Sequence, residues 1–101
     1  RAQTVHALAA ACAGGLRIDA GGDHADIRSR LLAVPGIGPW TVEYLALRAL
    51  HDPDAFPEGD LVLRRALGAD SARRVRAAGR PWSPLRAYAV FHIWTHQSYL
   101  A

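Results

Sequence analysis

The sequence has 101 residues and half of them are hydrophobic, which is enough for one compact domain, or part of one, with a real core. All twelve basic residues are arginine, and the formal net charge of +3 favours a polyanionic partner only weakly. No signal peptide or apolar membrane span is visible, and the single cysteine excludes an internal disulfide, so we expect a cytoplasmic protein without a membrane partner.

The first predicted helix covers residues 2–13 and ends at the pair Gly14-Gly15, which is a strong stop signal. Its apolar side chains at helical spacing are Val5, Leu8, Ala9 and Cys12. Because Cys12 lies in an Ala-rich apolar run, we expect it to be a small buried residue rather than a nucleophile.

A second and a third helix are predicted at 24–33 and 40–50, and together they form a hairpin at about 26–50. Asp23 is the expected N-cap of the second helix. Its buried stripe is expected to consist of Ile27, Leu31 and Leu32.

The turn Val34–Pro39 between these helices is built from backbone rather than from side chains. Pro35 ends the first helix of the hairpin, and Pro39 suits the first turn of the next, where its missing N–H is not needed. Gly36 and Gly38 lack Cβ, so they can take positive φ and let a partner approach the main chain closely. Amides at a helix N-terminus donate to anions such as a duplex phosphate. The alternative is an ordinary turn between two helices.

Trp40 and Tyr44 stand four residues apart, so both project from one face of the third helix. On spacing alone, two aromatics in this arrangement are more often core residues than part of a ligand site. Both interpretations stay open at this point.

A Pro- and Asp-rich loop over 51–59 leads to Asp60, which local rules make the N-cap of a helix over 61–67. A carboxylate held at a helix start is also oriented to face positive charge that develops elsewhere. The next helix is predicted from Ser71 to Ala78. Its basic surface consists of Arg73, Arg74 and Arg76. Such a cluster is usually a solvated face, and phosphate contact is the alternative.

The last helix is predicted at about 85–99, after a break over 79–84. The residues expected around its apolar surface are Leu85, Tyr88, Ala89, His92 and Trp94. His92 and His96 lie at a spacing that suits a metal, but without a third ligand we expect packing or surface roles for them. Since no alternation of period two persists, the predicted fold is all-α with about six helices.

Several stretches of the chain are similar to a known family. The string LLAVPGIGPWT at 31–41, followed by PEGDL at 57–61, resembles the helix-hairpin-helix and Gly/Pro-rich loop with aspartate of the DNA glycosylase superfamily. The strings PWTVEY at 39–44, ALRAL at 46–50, RAYA at 86–89 and HIW at 92–94 resemble DNA-3-methyladenine glycosylase II, the alkylation-repair branch. The resemblance implies a partial helix-hairpin-helix glycosylase fold, with residues 1–101 as the C-terminal part of the domain.

The resemblance also implies a monofunctional enzyme that excises alkylated bases such as 3-methyladenine from double-stranded DNA. Asp60 is then the catalytic carboxylate, near the sugar of a base flipped out of the duplex. The matching base-pocket positions are Trp40, Tyr44, Trp82 and Leu85, and the backbone of Gly36, Ile37, Gly38 and Thr41 would hold the DNA strand. Leu85 departs from the family, which usually has a stacking tryptophan there.

No cofactor is implied as a requirement. Bifunctional relatives carry a lysine right after the hairpin, and here that place is Trp40, so lyase chemistry through a Schiff base is not expected. Relatives with an iron–sulfur cluster need four cysteines, whereas this chain has only Cys12. Hairpin carbonyls in the family can hold a monovalent cation, Na⁺ or K⁺. The matching carbonyls belong to Leu32, Val34 and Ile37. A monomer is expected.

Two other functions compete with the glycosylase. One is a non-catalytic helix-hairpin-helix module that only grips duplex phosphates, for which the loop before Asp60 would have no use. The other is helical packing without DNA, which leaves Gly36 and Gly38 between two prolines unexplained. The resemblance places the duplex-wedging residue upstream of Arg1, so the isolated 101 residues are expected to bind DNA weakly and to turn over little or nothing.

Overall fold

The computed structural model describes residues 2–100, with side chains through Gln97, and within that range every regular element is a helix. The predicted all-α class and the predicted number of α-helices are confirmed. The elements are α1 (Ala2–Ala13), α2 (His24–Leu32), α3 (Pro39–Arg48), α4 (Leu61–Ala66), α5 (Ala72–Gly79), a 3₁₀ helix (Arg80–Trp82) and α6 (Arg86–Leu100).

The chain divides into two compact units. One unit ends at Asp52 and contains α1 to α3, and the other begins at Pro53 and contains α4 to α6. Buried apolar residues of the first unit are Leu16, Ile27, Leu31, Val34, Ile37, Val42, Ala46, Leu47 and Leu50. Those of the second unit are Ala55, Phe56, Leu63, Val75, Ala87 and Val90. No helix among the described residues has both the length and the apolar character that crossing a bilayer requires.

Three helices begin at the cap residues that the sequence predicted. An oxygen of the Asp23 side chain accepts a hydrogen bond from the Asp26 N–H at 3.1 Å, at the start of α2. Ser71 accepts from the Arg74 N–H at 3.2 Å at the start of α5, and Asp60 caps α4 in the same way. Each cap satisfies an amide that the helix leaves unpaired, which stabilises the helix by about 1 kcal/mol.

The predicted buried face of α1 is wrong. Cys12 is exposed, and α1 has no fully buried residue. Its half-buried residues are Thr4, Ala7, Leu8 and Ala11. That line is rotated away from Cys12 because alanines occupy several positions of α1, and an alanine-rich sequence does not fix which side of a helix faces inward.

Two further buried faces differ from the prediction. Leu32 is 52% exposed, because Ile27 and Leu31 set the inward line of α2 and Leu32 lies about a third of a turn from it. On α6, through Gln97, the buried residues are Ala87 and Val90, whereas the predicted Tyr88 and His92 are exposed, as is Leu85 just before the helix. The small buried residues carried a weaker apolar signal than the large exposed ones.

Candidate active-site elements

The turn between α2 and α3 has the conformation that its two prolines and Gly36 favour. Pro39 is the first residue of α3, and α2 ends before Pro35. Gly36 has φ of 91°, a conformation that glycine adopts without the steric penalty of a Cβ. A Cβ at Gly36 would also overlap the hydroxyl of Thr4 on α1. The fold itself therefore requires glycine at position 36.

Gly38 does not use the positive φ that glycine allows. Its φ of −99° and ψ of 179° place it in the extended region, because it is the N-cap of α3 and N-cap residues are extended. No atom lies within 4 Å of the position that a Cβ would take, apart from its own chain neighbours. The described part of the fold thus tolerates a side chain at position 38. Because position 38 has no side chain, the start of α3 has no side-chain cap.

The two helices of the hairpin are locked together by a half-buried arginine. Arg28 of α2 donates from Nε to Oε2 of Glu43 on α3 at 2.8 Å and from Nη2 to Oδ2 of Asp52 at 2.6 Å. Burial lowers the pKa of Arg28, but the hydrogen bonds to Glu43 and Asp52 outweigh it and the pKa is raised. This network fixes how α3 presents its outer face. No local sequence pattern predicted it.

Trp40 and Tyr44 stack on the outside of α3. Their ring centroids are 5.1 Å apart with an angle of 20° between the planes, and the Trp40 side of the pair is open, with 40% of that residue exposed. The guanidinium of Arg48 lies 5.5 Å from the Tyr44 ring centroid. An exposed tryptophan held in place by a second ring is a platform on which a third planar group could stack.

The three predicted carbonyls lie at the C-terminal end of α2 and in the turn. Leu32 is the last residue of α2, where carbonyls lack intrahelical partners and the helix dipole is negative. The Val34 carbonyl accepts a hydrogen bond from the Ile37 N–H at 3.1 Å and has a second lone pair. Backbone carbonyls are hard oxygen ligands, so the donor chemistry fits Na⁺ or K⁺.

Asp60 combines the predicted cap with a second, unforeseen contact. Its Oδ2 accepts a hydrogen bond from the Leu63 N–H at 3.0 Å and another from the indole Nε1–H of Trp94 at 3.0 Å. The residue is only 8% exposed, and no other charged residue in the described part of the chain is buried as deeply. A carboxylate held by two donors on one oxygen has a fixed orientation.

Trp94 is the residue that sequence reasoning assigned only to packing. It lies on α6, and its N–H reaches Asp60 across 34 residues of sequence. Its ring meets Phe91 edge-on at a centroid distance of 6.0 Å, which helps to hold the indole. The available signal was the string HIW at 92–94, which belonged to the family resemblance but carried no assigned role.

The loop that leads to Asp60 is held in place by hydrogen bonds of Asp54 and by packing of Phe56. Asp54 receives hydrogen bonds from Arg86 Nε at 2.8 Å and from the Ser83 hydroxyl at 2.9 Å. The hydrogen bond from Arg86 is the largest influence on Asp54, and it lowers the pKa of that carboxyl. Phe56 packs against Gly79 so closely that a Cβ at position 79 would collide with the ring.

The remaining two predicted pocket residues lie around the 3₁₀ helix. Trp82 is its last residue and is 36% exposed, and Leu85 precedes α6 and is 53% exposed. Both are large apolar side chains that the described fold leaves open to solvent. The structure brings Trp40 and Tyr44 together within one unit, and it places Asp60, Trp82 and Leu85 in the other.

Comparison with known proteins gives several relatives. The chain is 48% identical over 100 residues to a probable bifunctional transcriptional activator/DNA repair enzyme AlkA of Mycobacterium tuberculosis, covering 94% of this chain and 20% of the relative. It is 33% identical over 90 residues to DNA-3-methyladenine glycosylase 2 of Escherichia coli, covering 89% of this chain and 32% of the relative. A DNA-3-methyladenine glycosylase of Bacillus subtilis is 32% identical over 76 residues, with coverages of 68% and 25%.

The chain thus spans between 20% and 32% of the length of these curated relatives. No protein-family profile matches it, and no solved structure matches it. One of these relatives is named as a DNA repair enzyme and the other two as DNA-3-methyladenine glycosylases. On this similarity, the chain belongs to the DNA-3-methyladenine glycosylase II family and corresponds to part of the length of these relatives.

Proposed function

We propose that the full-length protein containing this chain is a monofunctional DNA glycosylase. It removes alkylated bases such as 3-methyladenine from double-stranded DNA by hydrolysing the N-glycosidic bond, and it acts as a monomer on the chromosomal DNA of the cytoplasm. The names of the relatives, which match over 68% to 94% of the chain, support the reaction and the type of lesion.

The observation that carries the proposal is the arrangement of Asp60. Cleavage of an N-glycosidic bond develops positive charge on the sugar, and a fixed carboxylate in a water-poor setting stabilises that charge strongly. Two N–H donors hold Oδ2, so the carboxylate does not have to be reoriented at the moment of reaction. In this proposal Asp60 faces the sugar of the flipped nucleotide and accepts the proton of the attacking water.

The stacked pair on α3 supports binding of a methylated base. Methylation of a purine ring nitrogen makes the base cationic, and the electron-rich faces of Trp40 and Tyr44 attract such a ring. The base is also a good leaving group, so a separate acid to protonate it is not needed. We assign Trp82 and Leu85 to the damaged base as well, since both are apolar and exposed. Leucine in place of a stacking ring at position 85 would hold that base more loosely.

The hairpin serves in this proposal as the grip on the DNA backbone. Donors at the start of α3 meet a phosphate at Gly38 and Thr41, while Ile37 and Gly36 shape the turn behind them. A monovalent cation at the carbonyls of Leu32, Val34 and Ile37 would add positive charge beside that phosphate. Since Trp40 stands where a lysine would be needed for Schiff-base chemistry, we expect no strand cleavage.

The test uses two substitutions of Asp60 in the full-length protein. Asp60→Asn keeps a good N-cap and should abolish release of 3-methyladenine from alkylated DNA, with affinity for the duplex largely intact. Asp60→Ala should abolish release as well and in addition lower the free energy of unfolding by about 1 kcal/mol, because the cap of α4 is removed.

The outcomes separate the proposal from its main alternative. Release by Asp60→Asn at the rate of the unmodified protein would remove Asp60 from the reaction. A full-length protein that binds duplex DNA with a steep salt dependence but releases no base from alkylated DNA would instead be a helix-hairpin-helix binding module.

A further inference from the structure

The net positive charge of the chain comes from its second unit, because the charges of the first unit cancel. Residues 53–101 contain seven arginines and four carboxylates, which accounts for the whole net charge of +3. Residues 1–52, with the hairpin, contain five arginines and five carboxylates. The hairpin is therefore placed in a neutral stretch, and a polyanion would be attracted mainly to the other unit.

The charge of the second unit is concentrated on α4, α5 and the 3₁₀ helix. Val75 and Gly79 face the interior, so the opposite side of α5 carries the guanidinium groups. Arg74 and Arg76 pair with Asp70 and Glu58 at 3.0 and 3.2 Å. Two further exposed arginines, Arg73 and Arg80, have no ion-pair partner among the side chains that the structure describes.

A shallow groove of about 350 Å³ lies on α4 and the turn that follows it. It is lined by Leu61, Arg64, Arg65, Gly68 and Ala69 and has no carboxylate in its lining. Arg64 Nη2 donates to the Asp70 carbonyl at 2.7 Å, while its Nε is enclosed and has no hydrogen-bond partner in the described part of the chain. Arg65 is exposed, also without an ion-pair partner there. Of the two arginines in the groove, Arg65 is therefore the one with exposed donors, whereas the unpartnered Nε of Arg64 is enclosed.

The helices that carry these arginines contact one another, α4 with α5 and α5 with the 3₁₀ helix. We call the set Arg64, Arg65, Arg73 and Arg80 the arginine surface. We propose that the arginine surface binds backbone phosphates of the duplex, with one phosphate seated in the groove on α4, so that the second unit carries a DNA-binding surface of its own. The planar guanidinium matches phosphate oxygens in pairs, and the exposed Arg65 presents its donors to a phosphate in the groove. The helix that carries this groove begins at Asp60, so a bound phosphate would also steady the proposed catalytic residue.

The inference rests on the proposed function for the identity of the ligand, which is the DNA that carries the lesion. The test measures binding of an undamaged duplex to the full-length protein over a range of salt concentrations. Arg65→Gln should weaken binding and make the slope of log K against log [salt] smaller by about 0.9 for each phosphate that the protein no longer neutralises.

The matched control is Arg17→Gln, which removes one exposed arginine from the neutral unit. It should leave the slope unchanged. Equal slopes for Arg65→Gln, Arg17→Gln and the unmodified protein would overturn the proposal, and so would equal reductions in both variants, which would reflect net charge alone. Arg64 donates a hydrogen bond to the Asp70 carbonyl, so Arg64→Gln could also affect stability. Its DNA binding is compared with that of the unmodified protein only if the two proteins unfold at the same temperature.

Two other outcomes separate the arginine surface from a small-anion site and from the glycosylase proposal. Saturation of the groove by inorganic phosphate at concentrations that do not compete with duplex DNA would overturn the proposal in favour of a small-anion site. An effect of Arg65→Gln on duplex binding in a protein that releases no base would remove the glycosylase proposal and leave the second DNA-binding surface standing.

Discussion

The indole N–H of Trp94 donates a hydrogen bond of 3.0 Å to the same carboxylate oxygen of Asp60 that caps α4. One oxygen thus anchors the start of α4 and ties it to α6. Because both bonds fall on Oδ2, the carboxylate has a defined plane, and the other oxygen points in a direction that the fold has set. Orientation of this residue therefore depends on an element far away in the sequence.

We expect Trp94→Phe to impair the reaction more than binding. Phenylalanine keeps an aromatic ring but has no donor, and a hydrogen bond to a charged group contributes about 1.5–3 kcal/mol. The value of kcat for base release should therefore fall roughly tenfold or more, while the Kd for duplex DNA changes little. Single-turnover release of 3-methyladenine, with binding measured in parallel, checks both quantities.

Phe91→Leu is the control for this substitution, since it disturbs the packing of Trp94 but leaves its N–H in place. It should reduce kcat less than Trp94→Phe. If both variants behave alike, the contribution of Trp94 is packing, and its bond to Asp60 has no share in the reaction.

Local signals were enough to predict most helix ends and the anchor of the candidate site. Asp60 was recognised as a cap because a carboxylate just before an apolar run is a typical N-cap. The hydrogen bond that such a residue accepts comes from an amide only three residues further along the chain. Pro39 at the start of α3 follows from the same kind of rule. The bond from Trp94 could not be found in this way, because it depends on how α6 packs beside α4.

Burial was harder to predict than the ends of the helices. Cys12 and Leu32 are exposed, although both lie in apolar stretches with helical spacing. In each helix, a neighbouring line of residues makes the inward contacts, and small rotations of a helix decide which line that is. The ion pairs of Arg28 could not be predicted from local patterns either, because its partners lie on α3 and beyond it in the sequence.

The pair Asp54 and Arg86 gives a prediction about pH. The hydrogen bond from Arg86 lowers the pKa of Asp54 below that of an unfolded aspartate, which is about 3.9. A carboxyl with a lowered pKa in the folded state stabilises the fold fully above the unfolded pKa. That stabilisation is lost as the pH falls through the lowered folded pKa. The difference in unfolding free energy between the unmodified protein and Asp54→Asn should therefore shrink on acidification.

Urea unfolding of both proteins between about pH 6 and pH 3 measures this difference. Asp70→Asn is the control, since its partner Arg74 and the carboxylate itself are both largely exposed and such pairs contribute little. A difference between the unmodified protein and Asp54→Asn that stays constant over this range would show that Asp54 does not contribute through its charge.

The two glycines of the hairpin turn should respond in opposite ways to substitution. Gly36→Ala forces a Cβ into a φ of 91° and against Thr4, so we expect the free energy of unfolding to fall by about 1 kcal/mol or more. Thr4→Ala in the same chain should restore part of this stability, because it removes the overlap but not the strain. Thermal and urea unfolding of the two single variants and the double variant check the expected coupling.

Gly38→Ser should instead leave stability unchanged or raise it by a few tenths of a kcal/mol, because serine is a good N-cap and the space around position 38 is open. The introduced hydroxyl would take the amides at the start of α3 that we assign to a DNA phosphate, so duplex affinity should fall. Gly21→Ser, in an exposed loop of the same unit, is the matched control and should bind DNA normally. Normal binding by Gly38→Ser would mean that the phosphate does not reach these amides, and the hairpin would then be a structural turn whose one indispensable glycine is Gly36.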